Sequence, residues 1–207
     1  MTNVVLAGCA VVAIVILLRR EAASGPEFLG SLEVREVKDW RSYAVGRMSF
    51  GASTAADTMV VFSDFECPFC RRLAERLDSL EIERPGQLHV IFRNLPLSAI
   101  HANARAAGLG AACAAKENRF KAWHDLIFSQ ADQLSGAGWG SLALAAGIAD
   151  TVAFGKCMAA SQTAAALRTD SLSAAALQIA GTPAVIFKGK LFAGAPTLDQ
   201  LRALVTE

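Results

Sequence analysis

The chain has 207 residues, 53% of them hydrophobic and 19% charged, with 20 Lys plus Arg against 19 Asp plus Glu and a formal net charge of +1. That length and apolar share support one ordinary domain with appendages and a sizeable core, and they exclude disorder as the dominant state. The balanced charge leaves no positive field to displace phosphate counterions, which excludes a nucleic-acid partner, whereas a mean hydropathy of +0.36 keeps a membrane protein open.

Residues 4–18 read VVLAGCAVVAIVILL, carry no charge and stop at Arg19-Arg20-Glu21. The run is shorter than the roughly 20 residues of a comfortable span. Met1-Thr2-Asn3 has no basic side chain, and the arginines interrupt the run where a cleavage site would be prepared. Residues 1–20 are therefore expected to be an uncleaved signal anchor, ahead of a cleaved signal peptide and a buried core helix. Leu6-Ala7-Gly8-Cys9 looks like a lipoprotein cleavage box but sits too near the start, inside the apolar run. Positive-inside counting would place the Arg19-Arg20 side in the cytoplasm, against the redox argument below.

Residues 21–55 are mixed and polar, as expected of a juxtamembrane linker. Within them Val34, Val37, Trp40 and Tyr43, spaced by three, predict one face of a short helix over 33–43. Gly46, Gly51 and Ser53 loosen the chain before a strand-like run, Met59-Val60-Val61-Phe62.

Cys67-Pro68-Phe69-Cys70 follows, opening the helical pattern Arg71-Arg72-Leu73-Ala74-Glu75-Arg76-Leu77. Two cysteines three apart at a helix start share a face and can close a small disulfide ring. The first thiol meets the free N–H groups and positive end of the helix, which favour thiolate. Pro68 suits a first turn, where its missing N–H costs nothing. These features describe a reactive dithiol. Zinc would need a second pair of ligands, and Cys113, Cys157, His89, His101 and His124 are scattered singly, so no metal is expected. A purely structural ring this small restricts the unfolded chain little.

Ala102, Ala106, Ala107, Ala111, Ala112, Ala114 and Ala115 make a strong helix former, and Phe120, Trp123, Leu126 and Ile127 recur at helical spacing as core. Gly136 to Gly140 breaks the helices, with Trp139 expected to pack, and Asp150-Thr151 predicts a helix start. His101 and His124 read as structural or capping side chains. Ile179 to Phe187 predicts a strand opened by Pro183, a candidate cis peptide after Gly181-Thr182; Lys188-Gly189-Lys190 reads as a turn and Leu191-Phe192-Ala193 as a second strand.

Together, Phe62-Ser63-Asp64-Phe65-Glu66-Cys67-Pro68-Phe69-Cys70, Phe92-Arg93-Asn94-Leu95-Pro96-Leu97 with His101 after it, and Gly181-Thr182-Pro183 before a hairpin resemble the DsbA-like branch of the thioredoxin-fold thiol-disulfide oxidoreductases. The resemblance implies an α/β domain over 56–207, a central mixed sheet flanked by helices, with a helical insert at about 98–180. It implies an exposed nucleophile at Cys67, a buried resolving thiol at Cys70, and a substrate-binding cis-proline loop at Thr182-Pro183 beside the Pro68-Phe69 active-site dipeptide. It further implies a structural disulfide between Cys113 and Cys157, which requires an oxidising compartment. Cysteine-containing protein substrates and a membrane redox partner that re-oxidises or re-reduces the dithiol are the implied partners, with no cofactor. The implied setting is the periplasmic face of a bacterial inner membrane, anchored through residues 4–18, or soluble if the segment is cleaved.

Two departures stand out. Phe69 replaces the histidine of strongly oxidising relatives, which predicts a less oxidising dithiol. Val61 stands six residues before Cys67, where such proteins often carry an acid that shuttles a proton to the buried thiol. Asp64 or Glu66 is a candidate substitute, though solvated loop carboxylates are the favoured reading. Another alternative is a non-catalytic thioredoxin-fold module that holds peptides or a metal for a membrane partner.

Overall fold

A computed structural model of the chain describes residues 34–205, apart from residue 137. The expected anchor over 4–18 lies outside the described residues, and among those described no helix is long and apolar enough to cross a membrane.

Six strands form one sheet: β1 (Val34–Glu36), β2 (Ser49–Gly51), β3 (Asp57–Ser63), β4 (Leu88–Asn94), β5 (Ala184–Phe187) and β6 (Lys190–Ala193), in the order β1-β6-β5-β3-β4-β2. β3 and β4 run parallel, joined across helix α1 (Pro68–Glu83), and every other pairing is antiparallel. The sheet is therefore mixed, as expected.

β3 shows why a near-continuous apolar run marks an inner strand. Its residues alternate between faces. Met59 and Val61 pack with Leu73, Leu77 and Leu80 of α1 and with Leu201 of α7 (Leu198–Leu204). Val60 and Phe62 face the other way, toward Ile186, Trp40 and Tyr43. Each such side chain contributes roughly 1.5–3 kcal/mol when fully buried. The β5–β6 hairpin turns at Lys188 and Gly189, both at positive φ (47° and 80°), the geometry of a two-residue turn that matches strand twist.

The helix predicted over 33–43 does not form. Val34–Glu36 instead pairs antiparallel with β6, Val34 opposite Phe192, and only Trp40–Tyr43 coils, as a 3-10 turn. A spacing of three fits the three-residue repeat of that turn as well as it fits an α-helix, and an open edge of β6 was available to the β-branched Val34. The stretch read as a linker thus supplies both edge strands, β1 and β2.

The insert holds α2 (Ala104–Lys116), α3 (Phe120–Ser129), α4 (Trp139–Ala145), α5 (Thr151–Ala159) and α6 (Ser161–Ala176). Its centre is Trp123, fully buried, whose Nε1–H donates to the Ala107 carbonyl at 3.1 Å. Gly110 makes room for it: a Cβ there would lie 2.1 Å from the indole. Trp139 packs on Trp123 with ring centroids 6.2 Å apart. Asp150 caps α5 by accepting from the Ala153 N–H at 2.8 Å. The insert returns to the sheet through Asp170 on α6, which meets the Arg93 guanidinium and the Asn94 N–H, each at 2.9 Å.

Candidate active site

β3 ends at Ser63, and the turn Asp64–Glu66 delivers Cys67 to the N-cap of α1 with Pro68 in its first turn. Both Cys67 and Cys70 are free thiols. The nucleophile was expected to be exposed, yet Cys67 retains 5% of its surface and Cys70 2%. The covering comes from across the chain: Cys67 Sγ lies 3.4 Å from the Thr182 carbonyl oxygen, so the loop 115 residues away sits directly on the sulfur. The Thr182–Pro183 peptide is cis. Thr182 Oγ1 is buried without a hydrogen-bond partner among the described residues. Phe69 is 53% exposed, with the Arg72 guanidinium 4.5 Å above its ring.

The two thiols are held apart chemically. The neighbouring Cys70 thiol chiefly, with smaller help from the Cys70 and Phe69 N–H groups of the first helical turn, outweighs burial and holds Cys67 down to about 5. Burial, followed by the nearby Cys67 sulfur, pushes Cys70 far upward despite the Asp64 N–H that reaches its sulfur at 3.4 Å. Near neutrality the pair is therefore one thiolate and one thiol.

Asp64 is buried and Glu66 half-buried, and both are held by hydrogen bonds. Asp64, 1% exposed, accepts from the Glu66 N–H (2.8 Å) and the Leu97 N–H (2.7 Å), and its second oxygen also meets His101 Nδ1 at 2.9 Å. Glu66 accepts from both the Asn103 N–H (2.6 Å) and its side-chain amide (2.9 Å). The two carboxylates strap the cysteine turn to the segment leading into α2. Those partners are 33 to 37 residues away and carry no local sequence signal, so Asn103 was missed, although the phrase around Arg93-Asn94-Leu95-Pro96 and His101 marked the neighbourhood. The favoured reading as loop carboxylates in water is corrected for Asp64, which is buried, while Glu66 stays half-exposed but bonded to Asn103.

Cys113 and Cys157 are bonded, with S–S 2.09 Å and Cα–Cα 6.0 Å, and join α2 to α5, their sulfurs lying beside Thr163 and Lys116. His124 on α3 is buried among Phe50, Phe65, Phe92, Phe120 and Phe128. Among the described residues no group of three or more His, Cys, Asp or Glu is placed to hold a metal ion.

With that geometry in view, a family model described as thioredoxin matches residues 44–207. Among solved structures, the catalytic domain of Proteus mirabilis ScsC is 23% identical, with a TM-score of 0.68 over 79% of this chain and 90% of its own. BdbD of Bacillus subtilis is 17% identical with a TM-score of 0.69, covering 84% and 96%. The thiol-disulfide exchange protein α-DsbA2 of Wolbachia pipientis is 22% identical with a TM-score of 0.67, covering 76% and 84%. At those identities the likeness is one of fold. Among curated sequences, the Na(+)/H(+) antiporter NhaA 1 of Mycolicibacterium gilvum is 28% identical over 173 residues, and NhaA 3 of Salinispora tropica is 28% identical over 155. The chain spans 27% and 24% of the length of those two relatives, while 83% and 75% of it is matched.

Proposed function

The chain belongs to the thioredoxin family, and on that premise we propose that it is a DsbA-like protein-disulfide oxidoreductase working through Cys67 and Cys70 outside the cytoplasm. The observation that carries this reading is two free thiols in one helical turn, Cys67 at the N-cap with its sulfur 3.4 Å from the Thr182 carbonyl oxygen and its pKa drawn down to about 5, and Cys70 buried beside it with its proton retained.

In the accepting direction, the Cys67 thiolate attacks a substrate disulfide; the new Cys67–substrate bond forms as the substrate's S–S bond breaks and one substrate thiolate leaves. Cys70, after losing its proton, attacks Cys67, and the second substrate thiolate departs. In the donating direction a substrate thiolate attacks oxidised Cys67, Cys70 leaves and takes up a proton, and a second substrate thiol resolves the mixed disulfide. The stabilised Cys67 thiolate makes that sulfur a good leaving group, which favours donation. The backbone at Thr182-Pro183, beside Cys67, offers polar groups to an extended client segment, which would lie along the loop as an added strand.

Residues 1–20 would anchor or export the chain, with the dithiol domain facing an oxidising compartment where Cys113–Cys157 persists. The partial matches to membrane antiporters support a setting at a membrane, and a membrane redox partner would reset the dithiol. The experiment is trapping: with Cys70→Ala in the native host, dithiothreitol-sensitive adducts on Cys67 should accumulate. Their absence, while the chain is folded and present, removes the catalytic reading.

A further inference from the structure

Resolution of a mixed disulfide requires Cys70, the more deeply buried thiol, to lose a proton. The position six residues before Cys67 supplies no acid here, since Val61 occupies it, and Asp64 is already bonded to two N–H groups and His101. A void of about 10 Å³, the room one water needs, lies beside Cys70. Val61, Ser63, Phe92 and Phe128 line it, and so does one basic side chain, His124.

We propose that His124, acting across this void, accepts the proton of Cys70 during resolution and passes it outward through Asp125. The inference rests on the dithiol reading above. His124 Nδ1 lies 2.9 Å from Asp125 Oδ1; a carboxylate can only accept, so Nδ1 donates and Nε2 carries the lone pair. Asp125 is 44% exposed and bonded to Lys121, which gives the proton a way to bulk solvent from a ring that is itself enclosed by five phenylalanines. Burial lowers the His124 pKa against the pull of Asp125, so the ring is neutral, and able to accept, near pH 7. Of the charged groups around it, Asp125 and Lys121 lie on its own helix and Asp78 on α1. Once Cys67 is bound in a mixed disulfide its negative charge is gone, and with it one of the causes that hold the Cys70 proton in place. The step balances: Cys70–SH and imidazole give thiolate and imidazolium, the Cys70–Cys67 bond forms, the Cys67–substrate bond breaks, and the substrate sulfur leaves as thiolate.

The test uses the full chain carrying Cys9→Ser, with Cys67 and Cys70 reduced, mixed with dithiobis(nitrobenzoate). Cys67 attack releases one thionitrobenzoate and Cys70 resolution a second, so the two steps are seen separately. His124→Asn keeps a side-chain N–H for Asp125 and lacks the basic nitrogen; His124→Phe fills the aromatic site with an apolar ring. Both should leave the first release unchanged and slow the second by about 100-fold or more at pH 7. In the parent chain the second rate should level off above the His124 midpoint, whereas in both variants it should climb about tenfold per pH unit from pH 6 to 9. Equal second-phase rates and pH profiles in parent and variants overturn the role of His124 and leave the dithiol assignment intact. A parent that releases nothing in either phase removes the dithiol reading itself.

Discussion

Cys67 and Cys70 lie three residues apart in one turn of helix, yet their surroundings drive their acidities in opposite directions. The Cys67 pKa is depressed to about 5 from an ordinary value of 9. Its thiolate therefore stabilises the folded, reduced protein fully above about pH 9, where an unfolded cysteine is also ionised, and that contribution fades as pH falls from there through about 5. Iodoacetamide alkylation of Cys67 in reduced chain should titrate with a midpoint near 5, and a midpoint near 8 to 9 would contradict the arrangement. Asp64 supports the same turn by a different route, through three contacts from one buried carboxylate. Asp64→Ala leaves the Leu97 and Glu66 N–H groups without that acceptor and should lower stability in urea unfolding by about 3 kcal/mol. Asp64→Asn keeps an acceptor and should cost less.

Among the elements, those whose evidence is local were legible in the sequence. β3 reads as a buried run, α1 opens with Pro68 behind a cap, α5 opens at Asp150, and the β5–β6 hairpin turns at Lys188-Gly189. β1 and β2 were not legible, because strands of three residues exist only through the partner that receives them, Phe192 and its neighbours for β1 and Val90 and its neighbours for β2. The Cys67/Cys70 pair and the Thr182-Pro183 loop could be named from motifs, but the position of His124 beside the void could not, since it depends on how α3 settles against β4 and α1. The same dependence governs α2, where the helix-forming alanines are interrupted by Gly110, whose missing side chain is clearance for an indole. Gly110→Ala would raise intrinsic helix preference yet drive a methyl into Trp123. A net loss of about 1–3 kcal/mol of unfolding free energy is expected in denaturant titration, and a gain would show that the helices can separate at little cost.

For the molecule as a whole, the Cys113–Cys157 bond spans 44 residues of the insert. In the chain-entropy account, closing a loop of that size is worth about 3–4 kcal/mol. Replacing both cysteines by alanine should lower unfolding stability by about that amount and leave Cys67 alkylation near its parent rate, because the polar contacts of these sulfurs go to Thr163 and Lys116 and not to the cysteine turn. Loss of Cys67 reactivity in the folded double variant would mean that the insert's staple also sets the active turn. The sheet's borders carry a further consequence. Each is closed by a strand of three residues, β1 and β2. Long, bare sheet borders invite other chains to dock and aggregate. A protein proposed to handle unfolded polypeptides meets such chains constantly, and its truncated borders give them little to zip onto. On the proposed reading, clients would be directed toward the proline loop, where a strand-like encounter would end in thiol exchange instead of in a fibril.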